Sequence, residues 1–168
     1  MTTLISEHQL RDRVRALAAD ISLDHPDGVH LVCVLNGAFV FLADLIRGMT
    51  CEVTLDFIAV SSYGQSTSSS GQVLLLKDLA TAVEGRSVVI VEDIVDTGLT
   101  LAHLQEILRA RSPRSLRTAC LLSKPSRRKV AVEIDYVGFT IEDQFVVGYG
   151  LDSGGRYRNL PYIAVIAL

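Results

Sequence analysis

The chain has 168 residues, 49% of them hydrophobic, and a formal net charge of −3. This length is typical of one domain, and the composition argues against disorder. The mild acidity gives no case for a nucleic-acid partner, because nucleic-acid-binding domains are usually basic. Residues 1–20 lack a signal-peptide core, and no apolar run reaches the roughly 18 residues of a membrane span. The three cysteines have no metal-ligand spacing, and Cys33 and Cys120 lie in apolar runs, which suits a reducing compartment. With neither a signal peptide nor a membrane span, we expect a cytoplasmic protein without a membrane partner.

The first predicted element is an amphipathic helix near the start of the chain. Ser6 and Gln9 have the spacing of a capping box. The residues that follow on one helical face are apolar, namely Leu10, Val14, Leu17 and Ile21. The Pro-Asp-Gly sequence at 26–28 ends this helix.

Short apolar runs then alternate with helical patterns. Two further helices are predicted, at 38–49 and 99–111. Strands are predicted at 29–35, 51–61, 73–77, 87–91, 117–123, 130–137, 145–149 and 162–168. The alternation predicts an α/β domain with a mostly parallel central sheet flanked by helices.

The segment 61–72 is rich in serine, threonine and glycine. Two interpretations remain open for it. It is either a flexible surface hairpin with no role, or a mobile lid, because long polar loops in compact domains are often functional.

The most informative segment is 88–101, with the sequence VVIVEDIVDTGLTL. An apolar strand ends in Glu92 and Asp93, and a helix begins directly after a loop that contains Asp96, Thr97, Gly98 and Thr100. The start of a helix presents unpaired N–H groups to an anion, and glycine allows close approach of a phosphate. Carboxylates accept hydrogen bonds from sugar hydroxyls and attract Mg²⁺. The segment therefore predicts a ligand that carries both a phosphate and hydroxyl groups.

Two other kinds of phosphate site fit this segment poorly. A P-loop requires a Gly-Lys pair, and the chain contains none. An aspartyl-phosphate phosphatase would have two acids two positions apart after a strand, whereas Asp93 and Asp96 are three apart.

The segment 88–101 resembles the motif by which type I phosphoribosyltransferases bind 5-phosphoribosyl-1-pyrophosphate (PRPP), and EDIVDTG is close to the hypoxanthine-guanine branch. SSYG at 61–64 resembles the mobile catalytic loop of that family, and LLSK at 121–124 resembles its base-contacting segment. YVGF and FVVGYGLD, within 136–152, resemble its purine-binding hood. The resemblance extends from about residue 29 to about residue 160.

The resemblance implies a type I phosphoribosyltransferase fold in a single domain, 1–168. The core would cover about 29–135, and a small hood would combine the N-terminal segment with about 136–168. It further implies a purine salvage enzyme that transfers the 5-phosphoribosyl group of PRPP to N9 of hypoxanthine or guanine. The products would be IMP or GMP and pyrophosphate, Mg²⁺ would be the cofactor, and the assembly would be a homodimer or homotetramer.

By the same resemblance, Glu92 and Asp93 would hold the ribose hydroxyls and Mg²⁺. The 5-phosphate would be wrapped by the loop Asp96, Thr97, Gly98, Leu99 and Thr100. Asp96 would also be the catalytic residue, acting as general base or acid near N7 of the purine. A positioned carboxylate can contribute roughly 10²–10⁴-fold to such a proton transfer.

The purine would be bound by Lys124, Phe145, Val146 and Asp152. Lys124 would donate to the 6-oxo group, and lysine, which only donates, should prefer oxopurines to adenine. Phe145 would stack on the ring, while the backbone near Val146 and Asp152 would read its edge. Asp152 would also be a second Mg²⁺ ligand.

Arg158, Asn36 and Gly37 would contact pyrophosphate by the same resemblance. Many relatives carry lysine at the position of Asn36, so this chain lacks one positive charge there. Ser62 and Tyr63 would close over the site as a lid and exclude water.

Three alternatives remain open: a sibling enzyme that uses xanthine, a non-catalytic PRPP-binding regulator with the same fold, and a generic nucleotide-binding module. Asp96 and Lys124 argue against the regulator, as does the lack of a basic DNA-binding segment.

Overall fold

The computed structural model describes residues 1–62 and 73–167, without the side chain of Ser62. Three α-helices are present: α1 (Glu7–Asp24), α2 (Phe39–Gly48) and α3 (Leu99–Arg109). The strands are β1 (Thr2–Ile5), β2 (Val29–Leu35), β3 (Val53–Ser62), β4 (Val73–Lys77), β5 (Ser87–Val95), β6 (Ser115–Ser123), β7 (Tyr136–Thr140), β8 (Val146–Val147) and β9 (Ile163–Val165). A short 3₁₀ helix, Pro125–Arg127, follows β6.

Six strands form the large sheet, in the order β4-β3-β2-β5-β6-β7. All neighbouring strands are parallel except β4, which runs antiparallel to β3 at the edge. The carboxyl ends of β2, β5 and β6 therefore lie side by side. The predicted α/β architecture, a mostly parallel sheet with flanking helices, is confirmed.

The central strands are buried on both faces, which explains their almost continuous apolar sequences. One face packs against α1 and α2 through residues such as Leu17, Phe41 and Leu31. The other face packs against α3 through residues such as Leu104 and Ile90. The central strands β2, β5 and β6 are thereby held between two layers of apolar side chains.

The capping box predicted at the start of α1 is present. The Ser6 hydroxyl accepts from the amide of Gln9 at 3.2 Å, and the Gln9 side chain accepts from the amide of Ser6 at 2.9 Å. The helix then buries Leu10, Val14 and Ile21 against the large sheet.

A second, three-stranded sheet has the order β1-β9-β8. We call this sheet, together with the segment 141–162 around it, the hood. Both β1 and β8 pair antiparallel with β9, so residues from the two ends of the sequence meet here. The sequence placed 136–140 in the hood, but β7 pairs with β6 in the large sheet. The division between core and hood therefore falls after Thr140.

Three further expectations differ from the structure. Strand β1 was not expected, because four residues are too few to show a period. The strand expected at 130–137 is wrong over 130–135, where Val132 and Ile134 pack on the core without belonging to a strand. The strand expected to end at residue 91 continues to Val95, because β6 continues beside it.

Asp56 on β3 fixes the turn that follows β4. Its buried carboxylate accepts from the amides of Ala80 and Thr81 at 2.8 and 2.9 Å and from the amide of Phe57 at 2.8 Å. Burial alone raises the pKa of Asp56, but these hydrogen bonds outweigh burial, so its pKa lies below the ordinary value of 3.8.

Among the helices described, none combines the length and the apolar character that crossing a membrane would require.

Candidate active site

Glu92 and Asp93 form an acidic pair within β5, near its carboxyl end. Glu92 accepts from the amide of Asp93 at 3.1 Å, and Asp93 accepts from the amide of Ile94 at 2.6 Å. Burial raises the pKa of Glu92, and the neighbouring charge of Asp93 raises it further. Burial also raises the pKa of Asp93. Because two adjacent carboxylates repel each other, a cation bound beside them would stabilise their ionised forms.

The loop after β2 lies directly against this acidic pair. The peptide bond between Leu35 and Asn36 is cis. A Cβ atom added to Gly37 would lie 1.6 Å from Oδ2 of Asp93, so any other residue here would force the carboxylate or the loop to move. A Cβ atom on Gly150 of the hood would lie 2.3 Å from the carbonyl oxygen of Gly37. Asp93, the loop after β2 and the hood are therefore in close contact.

Arg158 and Asp152 lie on the hood side of this contact. The Arg158 guanidinium donates to the carbonyl oxygen of Gly150 at 2.6 Å and pairs with Oδ1 of Asp152 at 2.9 Å. The other oxygen of Asp152 accepts from the amide of Gly155 at 2.7 Å. Within the described residues, no group of three or more ligand-type side chains is arranged to hold a metal. The three predicted metal ligands, Glu92, Asp93 and Asp152, are therefore not gathered into one protein-only cage.

The loop 96–100 forms a small cavity at the start of α3. Gly98 has a φ of 85° as the N-cap, a conformation that favours glycine. The Thr97 hydroxyl accepts from the amide of Leu99 at 3.3 Å. A cavity of about 90 Å³ is lined by Glu92, Ile94, Val95, Asp96, Thr97, Gly98, Thr100 and Leu101. The first amides of α3 have no intrahelical acceptors, which makes this end suitable for an anion.

Asp96 and Lys124 lie at the adjacent ends of β5 and β6. The amide of Lys124 donates to the carbonyl oxygen of Val95 at 3.0 Å, which joins the two segments. The Asp96 side chain is 40% exposed and accepts from Nε of Arg127 at 3.0 Å. The Lys124 side chain is only 8% exposed, and its ammonium lies 3.6 Å from Asp143. A proton acceptor and a buried donor thus follow the carboxyl ends of two neighbouring strands.

Phe145 is a partly exposed aromatic residue at the start of β8, with 39% exposure. Its carbonyl oxygen accepts from the amide of Ile166 at 3.1 Å, while Val146 is buried in the hood. The segment that carries Phe145 also carries Asp143, the partner of Lys124. A partly exposed aromatic residue therefore lies two positions along the chain from the partner of the buried lysine.

Three residues at this site were not found from the sequence: Arg127, Arg128 and Asp143. The run KPSRRK at 124–129 has the appearance of an ordinary charged surface segment, and Asp143 belongs to no motif that we recognised. The predicted lid falls outside what can be described, because Tyr63 and the side chain of Ser62 lie outside the described residues.

Known proteins resemble this chain over nearly its whole length. A sequence model of the phosphoribosyl transferase domain matches residues 2–154. The hypoxanthine-guanine phosphoribosyltransferase of Bacillus subtilis (strain 168) is 50% identical over 164 residues, covering 97% of this chain and 91% of that protein. The hypoxanthine phosphoribosyltransferase of Escherichia coli (strain K12) is 44% identical, covering 98% and 94%.

The structural comparison agrees with these sequence matches. A crystal structure of a hypoxanthine-guanine phosphoribosyltransferase from Bacillus anthracis has a TM-score of 0.95 and 48% identity, covering 99% of each chain. The predicted type I phosphoribosyltransferase fold is confirmed. From the fold, the family match and the two relatives together, it follows that the chain belongs to the phosphoribosyltransferase family, in its hypoxanthine-guanine branch.

Proposed function

We propose that the protein transfers the 5-phosphoribosyl group of PRPP to N9 of hypoxanthine or guanine, giving IMP or GMP and pyrophosphate in purine salvage. One observation carries the proposal. A carboxyl pair (Glu92 and Asp93), a glycine-containing anion loop (96–100) and a buried lysine (Lys124) meet at the carboxyl ends of adjacent strands. This edge of a parallel sheet is where α/β proteins bind ligands.

Glu92 and Asp93 hold the ribose hydroxyls and Mg²⁺ in this proposal. Their oxygen atoms are the hard ligands that Mg²⁺ prefers, and their burial fits a cation partner. Mg²⁺ keeps several waters and binds substrate phosphates, so two carboxylates suffice without a protein-only cage. Asp152, on the hood, would act as a further ligand. When bound, the ion neutralises charge on the pyrophosphate leaving group.

The phosphate groups of PRPP are assigned to two places. The 5-phosphate fits the cavity formed by the loop 96–100, where helix amides, Thr97 and Thr100 can donate to it. Pyrophosphate fits beside the backbone of Asn36 and Gly37, with Arg158 on the hood side. An arginine fork suits phosphate oxygens, whereas the neutral side chain of Asn36 adds no charge there.

The purine is assigned to the space between Asp96, Lys124 and the hood. Asp96 takes the proton that the base loses as its ring nitrogen attacks C1 of the ribose. Lys124 donates to the 6-oxo oxygen and therefore selects oxopurines. Phe145 stacks on the ring, and the backbone at Val146 and Asp152 reads its edge.

Three further assignments belong to the same proposal. Ser62 and Tyr63 close the site against water. The molecule functions as one domain with a core and a hood. It assembles as a homodimer or homotetramer, and Leu74 and Leu76, at 51% and 63% exposure on β4, are the kind of apolar residue that a subunit contact covers. Sedimentation at several protein concentrations tests the last assignment.

A purine panel tests the central assignment. The protein is incubated with PRPP and Mg²⁺ and with hypoxanthine, guanine, xanthine or adenine in turn, and pyrophosphate release is measured. We expect release with hypoxanthine or guanine and little with adenine. Release with xanthine alone would indicate the sibling enzyme. No release with any base would overturn the proposal and favour a PRPP-binding regulator.

A further inference from the structure

Four side chains of alternating charge form a row along one side of the proposed purine site. Nε of Arg127 lies 3.0 Å from Oδ1 of Asp96, and Nη1 of Arg127 lies 3.6 Å from Oδ2 of Asp143. Oδ1 of Asp143 lies 3.6 Å from Nζ of Lys124. The row therefore runs Asp96, Arg127, Asp143, Lys124, and its two ends are the groups assigned to the purine.

The backbone of the loop does not depend on Arg127. Arg128 donates to the carbonyl oxygen of Asp96 at 2.9 Å, and the amide of Lys129 donates to that of Thr97 at 2.9 Å. The Arg127 side chain donates to the Asp96 carboxylate. Arg127 therefore acts on the direction of that carboxylate, while Arg128 and Lys129 hold the loop that carries it.

The other half of the row acts on Lys124. Its side chain is 8% exposed, and a buried ammonium requires a compensating charge. Within the described part of the chain, Asp143 supplies the carboxylate within ion-pair distance of it. Arg127 joins the two halves because separate nitrogens of one rigid guanidinium face the two acids. The single nitrogen of a lysine could not reproduce this arrangement.

We infer that Arg127 and Asp143 are positioning residues that set the separation of Asp96 and Lys124, and so specify where an oxopurine binds. The inference rests on the proposed function. N7 and the 6-oxo oxygen lie on the same edge of one rigid base, so their two partners must be spaced to match. A displacement of about 1 Å in such an arrangement can cost on the order of 100-fold in rate.

The test compares Arg127→Gln, Asp143→Asn and the double variant with a matched control, Arg109→Gln. Arg109 is an exposed arginine in the last turn of α3. We expect kcat/KM for hypoxanthine to fall about 10- to 100-fold in each single variant, with the KM for PRPP unchanged. The Tm should be unchanged in Arg127→Gln, whereas Asp143→Asn should lower it, because the buried Lys124 loses its compensating charge. Because both residues act through one row, the double variant should lose about as much as the worse single variant.

Other outcomes would overturn the inference. If Arg127→Gln and Arg109→Gln had the same kinetics, Arg127 would have no role in positioning Asp96 and Lys124. An equal loss toward PRPP in either single variant, or a lowered Tm in Arg127→Gln, would indicate a general structural role. Losses that multiply in the double variant would show two independent effects. A wild-type protein that releases no pyrophosphate with any purine would refute the proposed function instead, which separates the two failures.

Discussion

Replacing Gly37 by alanine directly tests the contact between the loop after β2 and the acidic pair. The new Cβ atom would lie 1.6 Å from Oδ2 and 2.6 Å from Cγ of Asp93. To restore ordinary van der Waals contact at 3.4 Å or more, either the carboxylate or the loop must move. If the carboxylate moves, it loses its 2.6 Å hydrogen bond from Ile94, which as a charged bond is worth about 1.5–3 kcal/mol.

The expected consequence is a loss of activity toward PRPP. A displacement of more than about 1 Å at Asp93, which is proposed to hold the ribose and Mg²⁺, should lower kcat/KM for PRPP about 100-fold. Initial rates of pyrophosphate release at varied PRPP measure this effect. Gly85→Ala is the control, because a Cβ there meets nothing within 4 Å, although its φ of 69° costs roughly 1–2 kcal/mol for alanine. That variant should lose stability and keep its turnover.

The reasoning about Gly37 would be refuted by a Gly37→Ala enzyme with wild-type kcat/KM for PRPP. Equal losses of activity in Gly37→Ala and Gly85→Ala would also refute it, because the loss would then result from lower stability and not from the contact with Asp93.

Three further predictions follow from the same structure. Asp96→Asn should lower kcat by roughly 10²–10⁴-fold while calorimetry shows PRPP still bound, and an unchanged kcat would remove Asp96 from the proton transfer. Chelation by EDTA should stop nucleotide synthesis and added Mg²⁺ should restore it; activity that survives chelation contradicts the metal assignment. The hydrogen bonds that lower the pKa of Asp56 stabilise the fold at pH values above the ordinary pKa of 3.8. This stabilisation is lost as the pH falls through the lower pKa of the folded state. Asp56→Asn should therefore be about 2 kcal/mol less stable than wild type in urea at neutral pH, with the difference vanishing in strong acid; a difference independent of pH would contradict this.

The buried strands of the large sheet were predictable because both of their faces are covered. Residues 29–35 and 87–91 are nearly continuous apolar runs, as expected for parallel strands between two helical layers. The segment 130–135 has alternating apolar residues as well, yet it belongs to no strand. Its polar groups bond irregularly, for example the carbonyl oxygen of Glu133 with the Gln105 side chain at 2.8 Å. An alternating pattern of apolar residues shows which side chains are buried. It does not show which partners the backbone amides and carbonyls bond to.

The site was predictable where one continuous segment carries it, as in 92–100. The contact of Gly37 with Asp93 and of Gly150 with Gly37 depends on the arrangement of separate strands and loops, which no local pattern encodes. Arg127 and Asp143 were not predicted from the sequence for a related reason. A charged side chain in a polar run is usually solvated, and only its partners in space distinguish it from its neighbours.

The pairing of β1 with β9 has a consequence for the order of assembly. Thr2 lies opposite Val165, so the hood cannot close before nearly all the intervening residues have been synthesised. Contacts between such distant parts of a chain form late, because a long loop must close first. The loop 96–100 is therefore synthesised well before Phe145 and Arg158 of the hood. A product terminated before the hood would keep Asp96 and Lys124 but lack the hood residues that are proposed to complete the site.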